Sequence, residues 1–241
     1  MRVAVISDIH ANLPALEATA EAIEAEGVEE IWCLGDLVGY GPYPNECCTW
    51  AREHTAVCLS GNHDLGVIRA LPLDDFAGDA AAAARWAQSE LDPDAREYLA
   101  GLPSSTVVQG VGLYHGSPRD PVWEYVLSWD AARDAVHDSG TDVTIVGHSH
   151  VPLAIPEHDG PEGGHAPGGT EIDLAGTLWL LNPGSVGQPR DGDPGAAWLV
   201  FDLDARHASF RRTPYDVSRV QEAIRAAGLP EVLAERLAHG V

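Results

Sequence analysis

Five apolar runs in this sequence break off on residues that can bind a metal ion or move a proton. RVAVIS leads into Asp8 and His10 of SDIH, EIWCLG into Asp36 of GDLVGYGP, and TAVCLSG into Asn62, His63 and Asp64 of GNHD. GLYHG closes on His115, and DVTIVG on His148 and His150 of GHSH. Each alone has an ordinary reading: a helix-capping Asp, a turn Asp, an interior histidine. Five in succession do not, because a buried strand has no packing use for imidazoles and carboxylates at its end. The donors are oxygen and nitrogen of intermediate hardness with no thiolate, a set suited to Mn, Fe, Zn, Co or Ni. Asp8, His10, Asp36, Asn62, His115, His148 and His150 are more ligands than one ion takes, whereas a pair of ions sharing one carboxylate uses them all.

Side chains two apart on an extended backbone share a face, so Asp8 with His10, and His148 with His150, are expected to converge from extended strand ends. The first half alternates strands with helices, near Leu13 to Glu26 and Asn45 to His54, which implies crossover units and a largely parallel sheet. Ligands of such sheets gather beyond the carboxyl ends of the strands. Two further helices are expected near Asp79 to Leu91 and Pro93 to Ala100. After Pro103 come STVVQG, GLYHGS, a helix near Asp130 to Ser139, DVTIVG, VPLAIPEH, TEIDLAG, TLWLLN, AAWLVFDLD and ASFRRTPY, whose succession suggests a second, more antiparallel sheet. Residues 157–170, rich in Gly and Pro, read as a mobile surface loop, with His158 and His165 as solvated histidines. Val217 to Leu237 reads as two short helices split at Leu229-Pro230. The expectation is one domain over 1–241, an α/β sandwich.

The formal charge is −23, and all 14 basic residues are arginine. Such a surface repels DNA and RNA, so no nucleic acid polymer is expected as partner. No apolar run reaches the about 18 residues of a membrane span, and Asp8 stops the first apolar stretch too early for a signal peptide. A cytoplasmic protein is expected. Cys33 and Cys58 lie in apolar runs, and the adjacent Cys47 and Cys48 lack C-x-x-C spacing; they read as small packing thiols.

The order D-x-H, G-D-x-x-G, G-N-H-D, H-G, G-H-x-H resembles the calcineurin-like metallophosphoesterase superfamily. The stretches GDLVGYGPYPNE, HGSPRDPVWEYV and LNPGSVGQPRDGDPGAAWLVFD are similar to its compact prokaryotic phosphodiesterases, which carries the resemblance to about Asp202. It implies a four-layer α-β-β-α sandwich of two mixed sheets flanked by helices, and a phosphoric ester hydrolase using two divalent transition-metal ions, manganese foremost. Asp8, His10 and His150 would hold one ion, Asn62, His115 and His148 the other, and Asp36 would bridge; His63 would be the catalytic histidine. A metal-bridging hydroxide would attack a small phosphodiester in line, a nucleotide diester among the options. A phosphomonoester or a dinucleoside polyphosphate is the alternative substrate. A non-catalytic scaffold is the alternative of another class, and the intact His63 and ligand set argue against it.

Protein phosphatases of the superfamily carry G-D-x-x-D-R-G, with an Asp that orients the histidine and an Arg that grips phosphate, where this sequence has Gly39 and Tyr40. Asp64 is then the candidate for orienting His63, and Arg119 of GSPRD for contacting phosphate. Asn182, Ser185 and Arg190 fall in a loop that the resemblance brings near the site, Asn182 and Ser185 reading as turn formers around Pro183 and Gly184. Trp123 and Tyr125 read as core packing, with base stacking as their other use.

Molar salt shortens the screening length to about 3 Å and so should relieve the acidic self-repulsion. The melting temperature is expected to rise between dilute buffer and molar sodium chloride; a scanning calorimetry trace that does not move would show that the charge imbalance costs the fold nothing.

Overall fold

The computed structural model describes residues 1–158 and 163–241. The first half runs β1 (Arg2–Ile6), α1 (Leu13–Glu26), β2 (Glu30–Cys33), α2 (Pro44–His54), β3 (Val57–Cys58), α3 (Asn62–Val67), α4 (Gly78–Glu90) and α5 (Pro93–Ala100). There follow β4 (Ser105–Val108), β5 (Val111–Tyr114), α6 (Trp129–Ser139), β6 (Val143–Val146), β7 (Leu153–Pro156), β8 (Gly164–His165), β9 (Glu171–Asp173) and β10 (Trp179–Asn182). The chain ends with β11 (Ala196–Asp202), β12 (His207–Thr213), α7 (Val217–Ala226), α8 (Glu231–Glu235) and a 3-10 turn, Arg236–Ala238.

Two six-stranded sheets result, in the orders β3-β2-β1-β11-β12-β9 and β4-β5-β6-β10-β7-β8. Both are mixed. β1, β2 and β3 pair in parallel, and β11, β12 and β9 extend that sheet antiparallel. In the second sheet β5, β6 and β10 are parallel and the outer strands antiparallel. The first sheet is therefore completed by strands from the second half of the chain rather than by the first half alone.

Alternation along the strands explains the layering. Val3, Val5, Trp32, Leu199 and Phe201 face Leu113, Ile145 and Leu181 in the core between the sheets. The opposite faces, through Ala4, Ile6 and Cys33, receive Leu16, Ile23, Cys47 and Ala51 of α1 and α2. On the far side Val146, Ile155 and Leu180 receive Ala132, Ala135 and Val136 of α6. The four layers are thus helix, sheet, sheet, helix. No described helix is long and apolar enough to cross a membrane, and the four cysteines are free.

Two local expectations are corrected. Strand three is only Val57–Cys58, shorter than the run TAVCLSG suggests, and Asn62, His63 and Asp64 open helix α3. The stretch expected as a loop over 157–170 is in part a strand, because Gly164 and His165 pair with Ala154 and Leu153 and Ala166 is buried; residues 159–162 lie outside the described ones.

The parallel strands β1, β2, β5 and β6 deliver their carboxyl ends to one edge, where the loop after β10 closes over them. Val186 and Gly187 donate to the carbonyls of Ser7 and Asp8 (3.0 and 2.9 Å). Gly187 is obligatory at this crossing, since a Cβ there would lie 1.8 Å from the Ile9 carbonyl oxygen. Gly187→Ala is expected to cost about 2 to 3 kcal/mol by overpacking, read as a lower urea midpoint with unchanged slope.

Candidate metal centre

The loops leaving the strands do not stay extended. Asp8, His10, Asp36, His148 and His150 all have left-handed backbone, with φ of 55, 49, 53, 63 and 60°. Asp and His tolerate this region better than most residues, yet each instance costs of order 1 kcal/mol or more. Backbone bonds hold the strain in place: Asp8 N donates to Gly35 O (3.0 Å) and His10 N to Asp36 O (2.9 Å). Convergence thus comes from reversed turns rather than from extended alternation.

The turns bring all seven predicted ligands together. Ligand atoms of Asp8, His10, Asp36 and His150 lie within 4.8 Å of one another, and so do those of Asp36, His115 and His148. Asp36 belongs to both groups: its Oδ2 is 3.6 Å from His10 Nε2 and 3.5 Å from His115 Nε2. Asn62 Oδ1 joins the second group, 3.2 Å from His115 Nε2. Every one of these side chains is buried.

Main-chain carbonyls set the tautomers. His10 Nδ1 bonds to Val38 O (3.1 Å), His115 Nδ1 to Leu34 O (3.0 Å) and His150 Nδ1 to Gln188 O (2.6 Å). Each Nδ1 therefore carries the proton, and each Nε2 turns a lone pair inward. His10 Nε2 then faces His150 Nε2 at 3.1 Å with no proton to share. The carboxylates repeat the pattern: Asp8 Oδ2 accepts from His148 N (3.1 Å) and Asp36 Oδ1 from His63 N (2.9 Å). Asp8 Oδ1 and Asp36 Oδ2 are buried with no hydrogen-bond partner. Unpartnered buried oxygens opposed to imidazole lone pairs are costly in protein alone and fit divalent cations.

Burial, followed by the neighbouring His150 and His63, holds His10 well below the ordinary imidazole range. Burial and then the charges of His150 and Arg190 do the same to His63, and burial lowers His115. His150 falls through burial and then Arg190, and His148 falls to about 2 through burial and His115. All are neutral, the state a metal requires of imidazole. Burial raises the Asp36 carboxyl, with Asp64 and Asp8 adding to it. Burial pushes Asp8 up as well, but His150, His115 and His10 outweigh it and hold that carboxyl low.

His63 packs against Tyr40 (centroids 4.5 Å), the His10 ring (4.8 Å) and Phe76 (5.1 Å). Asp64 does not orient it. On α3 successive side chains fan out by about 100°, and the Asp64 oxygens accept from Val38 N (3.1 Å) and Gly61 N (3.0 Å), while His63 Nδ1 has no partner. Asp64 is a clamp between two ligand loops; burial raises its carboxyl to about 7 against those N–H bonds. A Cβ on Gly39 would stand 2.3 Å from His63 Nδ1, so no side chain takes up an orienting role there.

Arg119 is likewise corrected. Its guanidinium is nearly half exposed and committed to Glu124 (2.5 Å) and Asp134 (3.1 Å). Arg190 stands by the centre instead, its Nη2 donating to the Tyr40 hydroxyl (3.3 Å) and to Gln188 Oε1 (3.0 Å). The sequence signal for it was position in the loop containing Asn182 and Ser185, not charge pattern. Those two bind backbone as turn formers do, Asn182 to Gly147 O and Ser185 to Asp8 O, both at 2.8 Å. Tyr125 is not core: it is 46% exposed and stacks on His148 with centroids 3.9 Å apart. Trp123 meets Phe76 edge-on at 5.2 Å, which completes an aromatic wall beside the cluster. His165 lies apart, paired with Asp191 (3.2 Å).

Residues 1–206 match the calcineurin-like phosphoesterase superfamily domain, and the chain belongs to that superfamily. It is thereby a hydrolase of phosphoric esters. It is 39% identical over 241 residues to the uncharacterized protein MJ0912 of Methanocaldococcus jannaschii, with 98% of this chain and 96% of that one covered. The crystal structure of a metallophosphoesterase from Sphaerobacter thermophilus superposes with a TM-score of 0.90 at 40% identity, over 100% of this chain and 99% of that one. The phosphodiesterase YfcE of Escherichia coli is 25% identical over 214 residues, 85% of this chain and 89% of its own.

Manganese at 100 times its dissociation constant is expected to add about 2.7 kcal/mol, or roughly 5 to 10 °C in Tm, over chelator-treated protein. Equal melting with EDTA and with manganese would mean that the opposed lone pairs bind no ion.

Proposed function

We propose that the protein is a two-metal phosphodiesterase acting on a small phosphodiester, with a nucleotide diester as the favoured chemistry. The observation that carries the reading is Asp36 Oδ2, unpartnered and set 3.6 and 3.5 Å from imidazole nitrogens of two separate ligand groups. Asp8, His10 and His150 would hold one ion, Asn62, His115 and His148 the other, with Asp36 between them. When bound, a pair of divalent transition-metal ions, manganese by preference, supplies an activated water and neutralises charge on the phosphate oxygens.

The chain's own residues do the rest. The carbonyls of Val38, Leu34 and Gln188 keep the imidazole lone pairs aimed inward, so the ligands need no reorganisation. His63, held by Tyr40, His10 and Phe76, donates its ring N–H to the leaving oxygen as negative charge develops there. Phe76, Trp123 and Tyr125 form a wall against which the organic group of an ester can lie, excluding water from one side. Diester over monoester is supported by the curated relative named as a phosphodiesterase, and by this apolar wall, since the second ester group of a diester has somewhere to rest.

His63→Ala is expected to lower kcat for manganese-dependent cleavage of bis(p-nitrophenyl) phosphate about 100- to 10,000-fold while elemental analysis still finds both ions. Asp36→Ala is expected to lose both. Equal metal content in the two variants would contradict these roles, and turnover of p-nitrophenyl phosphate alone would make the enzyme a monoesterase.

A further inference from the structure

Carboxylates outnumber basic residues 37 to 14, so an arginine has an acidic partner almost for the asking. Arg211 holds Glu26 and Glu171, and Arg212 holds Asp191. Among the described residues Arg52, Arg69, Arg85, Arg96, Arg190 and Arg236 form no ion pair with an Asp or Glu side chain, and of these Arg190 and Arg236 stand together. Both lie against Tyr40. Arg190 Nη2 donates to its hydroxyl at 3.3 Å, and the Arg190 Nε is buried without a partner. Arg236, in the 3-10 turn after α8, sets its guanidinium carbon 6.0 Å from the Tyr40 ring centroid and gives its Nε to the Val241 main-chain oxygen (2.5 Å). Tyr40 in turn packs on His10 (4.6 Å) and His63 (4.5 Å). The Tyr40 ring thus touches both cations and two histidines of the cluster.

Packing does not require this arrangement. Val220, Ile224, Leu233 and Leu237 already seat the C-terminal helices on Tyr40, and a neutral donor would serve its hydroxyl. Two guanidiniums brought together and partly buried repel one another. Burial and the charge of Arg190 lower the Arg236 guanidinium from its ordinary range, against a weaker pull from Asp79. An anion placed between them would relieve that repulsion, and a planar fork suits phosphate oxygens.

We propose that Arg190 and Arg236 form a second anion subsite beside Tyr40, which receives the phosphoryl group joined to the scissile one, so that the substrates are phosphoric anhydrides of dinucleoside polyphosphate chemistry. This rests on the phosphoesterase reading and moves its favoured substrate from a nucleotide diester to a phosphoric anhydride. In the hydrolysis the oxygen of water bonds to the scissile phosphorus, and the P–O bond to the neighbouring phosphoryl group breaks with its electron pair passing to the bridging oxygen. The protons of water go to the products or to solvent. The leaving group is then itself a phosphate, more highly charged than an alcohol or phenol, and the overall −23 opposes it. Two guanidiniums with no Asp or Glu side chain paired to them answer that field at the point where the charge grows.

The test compares kcat/KM for diadenosine tetraphosphate and for bis(p-nitrophenyl) phosphate in the manganese-loaded wild type, Arg236→Gln and Arg236→Lys. Arg236→Gln is expected to lose at least about tenfold more on the tetraphosphate than on the diester, and Arg236→Lys to recover much of that difference, because lysine restores charge but not the stacked guanidinium. Equal losses on the two substrates, or a wild type that cleaves the diester and leaves the tetraphosphate intact, would overturn the subsite while the phosphoesterase reading stands. A metal-loaded wild type that cleaves neither would remove the phosphodiesterase reading and this one together.

Discussion

Imidazole lone pairs opposed at 3.1 Å in a buried cluster, with two unpartnered carboxylate oxygens beside them, are the interaction on which everything else in this molecule turns. A polypeptide keeps such an arrangement only if something else makes it worthwhile, because buried acceptors facing acceptors lose both solvation and hydrogen bonding. Backbone carbonyls hold the imidazoles from behind, backbone N–H groups hold the carboxylates from behind, and the inward atoms are left for cations. The ligand loops are strained and mutually hydrogen-bonded for the same reason: five left-handed Asp and His residues, with Ala11 and Tyr40 beside them, are tolerated where the surrounding ladder leaves them no alternative.

The four-layer sandwich exists in service of that edge. Parallel strands send their carboxyl ends the same way, and two sheets face to face bring two such edges to one place. Crossing strands do the alignment. β11 and β12 come from the end of the chain to complete the first sheet, and the loop between β10 and β11 stitches Ser7 and Asp8 of one sheet to the far side of the other. The C-terminal helices then cover Tyr40, which supports both His10 and His63.

Charge is distributed by the same logic. An acidic surface disfavours polyanions in general, while the neutral histidines and two guanidiniums free of Asp and Glu side-chain partners stand together at one mouth. The arginine that the sequence nominates, Arg119, is consumed by Glu124 and Asp134; the one that acts on the electrostatics of the centre, Arg190, sits in a loop whose sequence looks like turn chemistry.

Legible in the residues alone were the candidate ligand types, their order at the ends of apolar runs, the helices from Leu13 to Glu26 and Pro93 to Ala100, and the sandwich class, because side-chain periodicity and donor chemistry are local or compositional properties. The sequence could not determine which strands share a sheet, since the pairing of β1 with β11 spans most of the chain and no local pattern encodes it. Nor could it determine the direction of Asp64, the residue next to His63 yet turned away by a helix that begins at Asn62. The left-handed turns at His148 and His150, and the company kept by Arg119, Arg190 and Tyr125, were decided by tertiary contact. A side chain's partner is whatever the fold brings within a few ångströms, and that is a property of the packed sheets rather than of neighbouring letters.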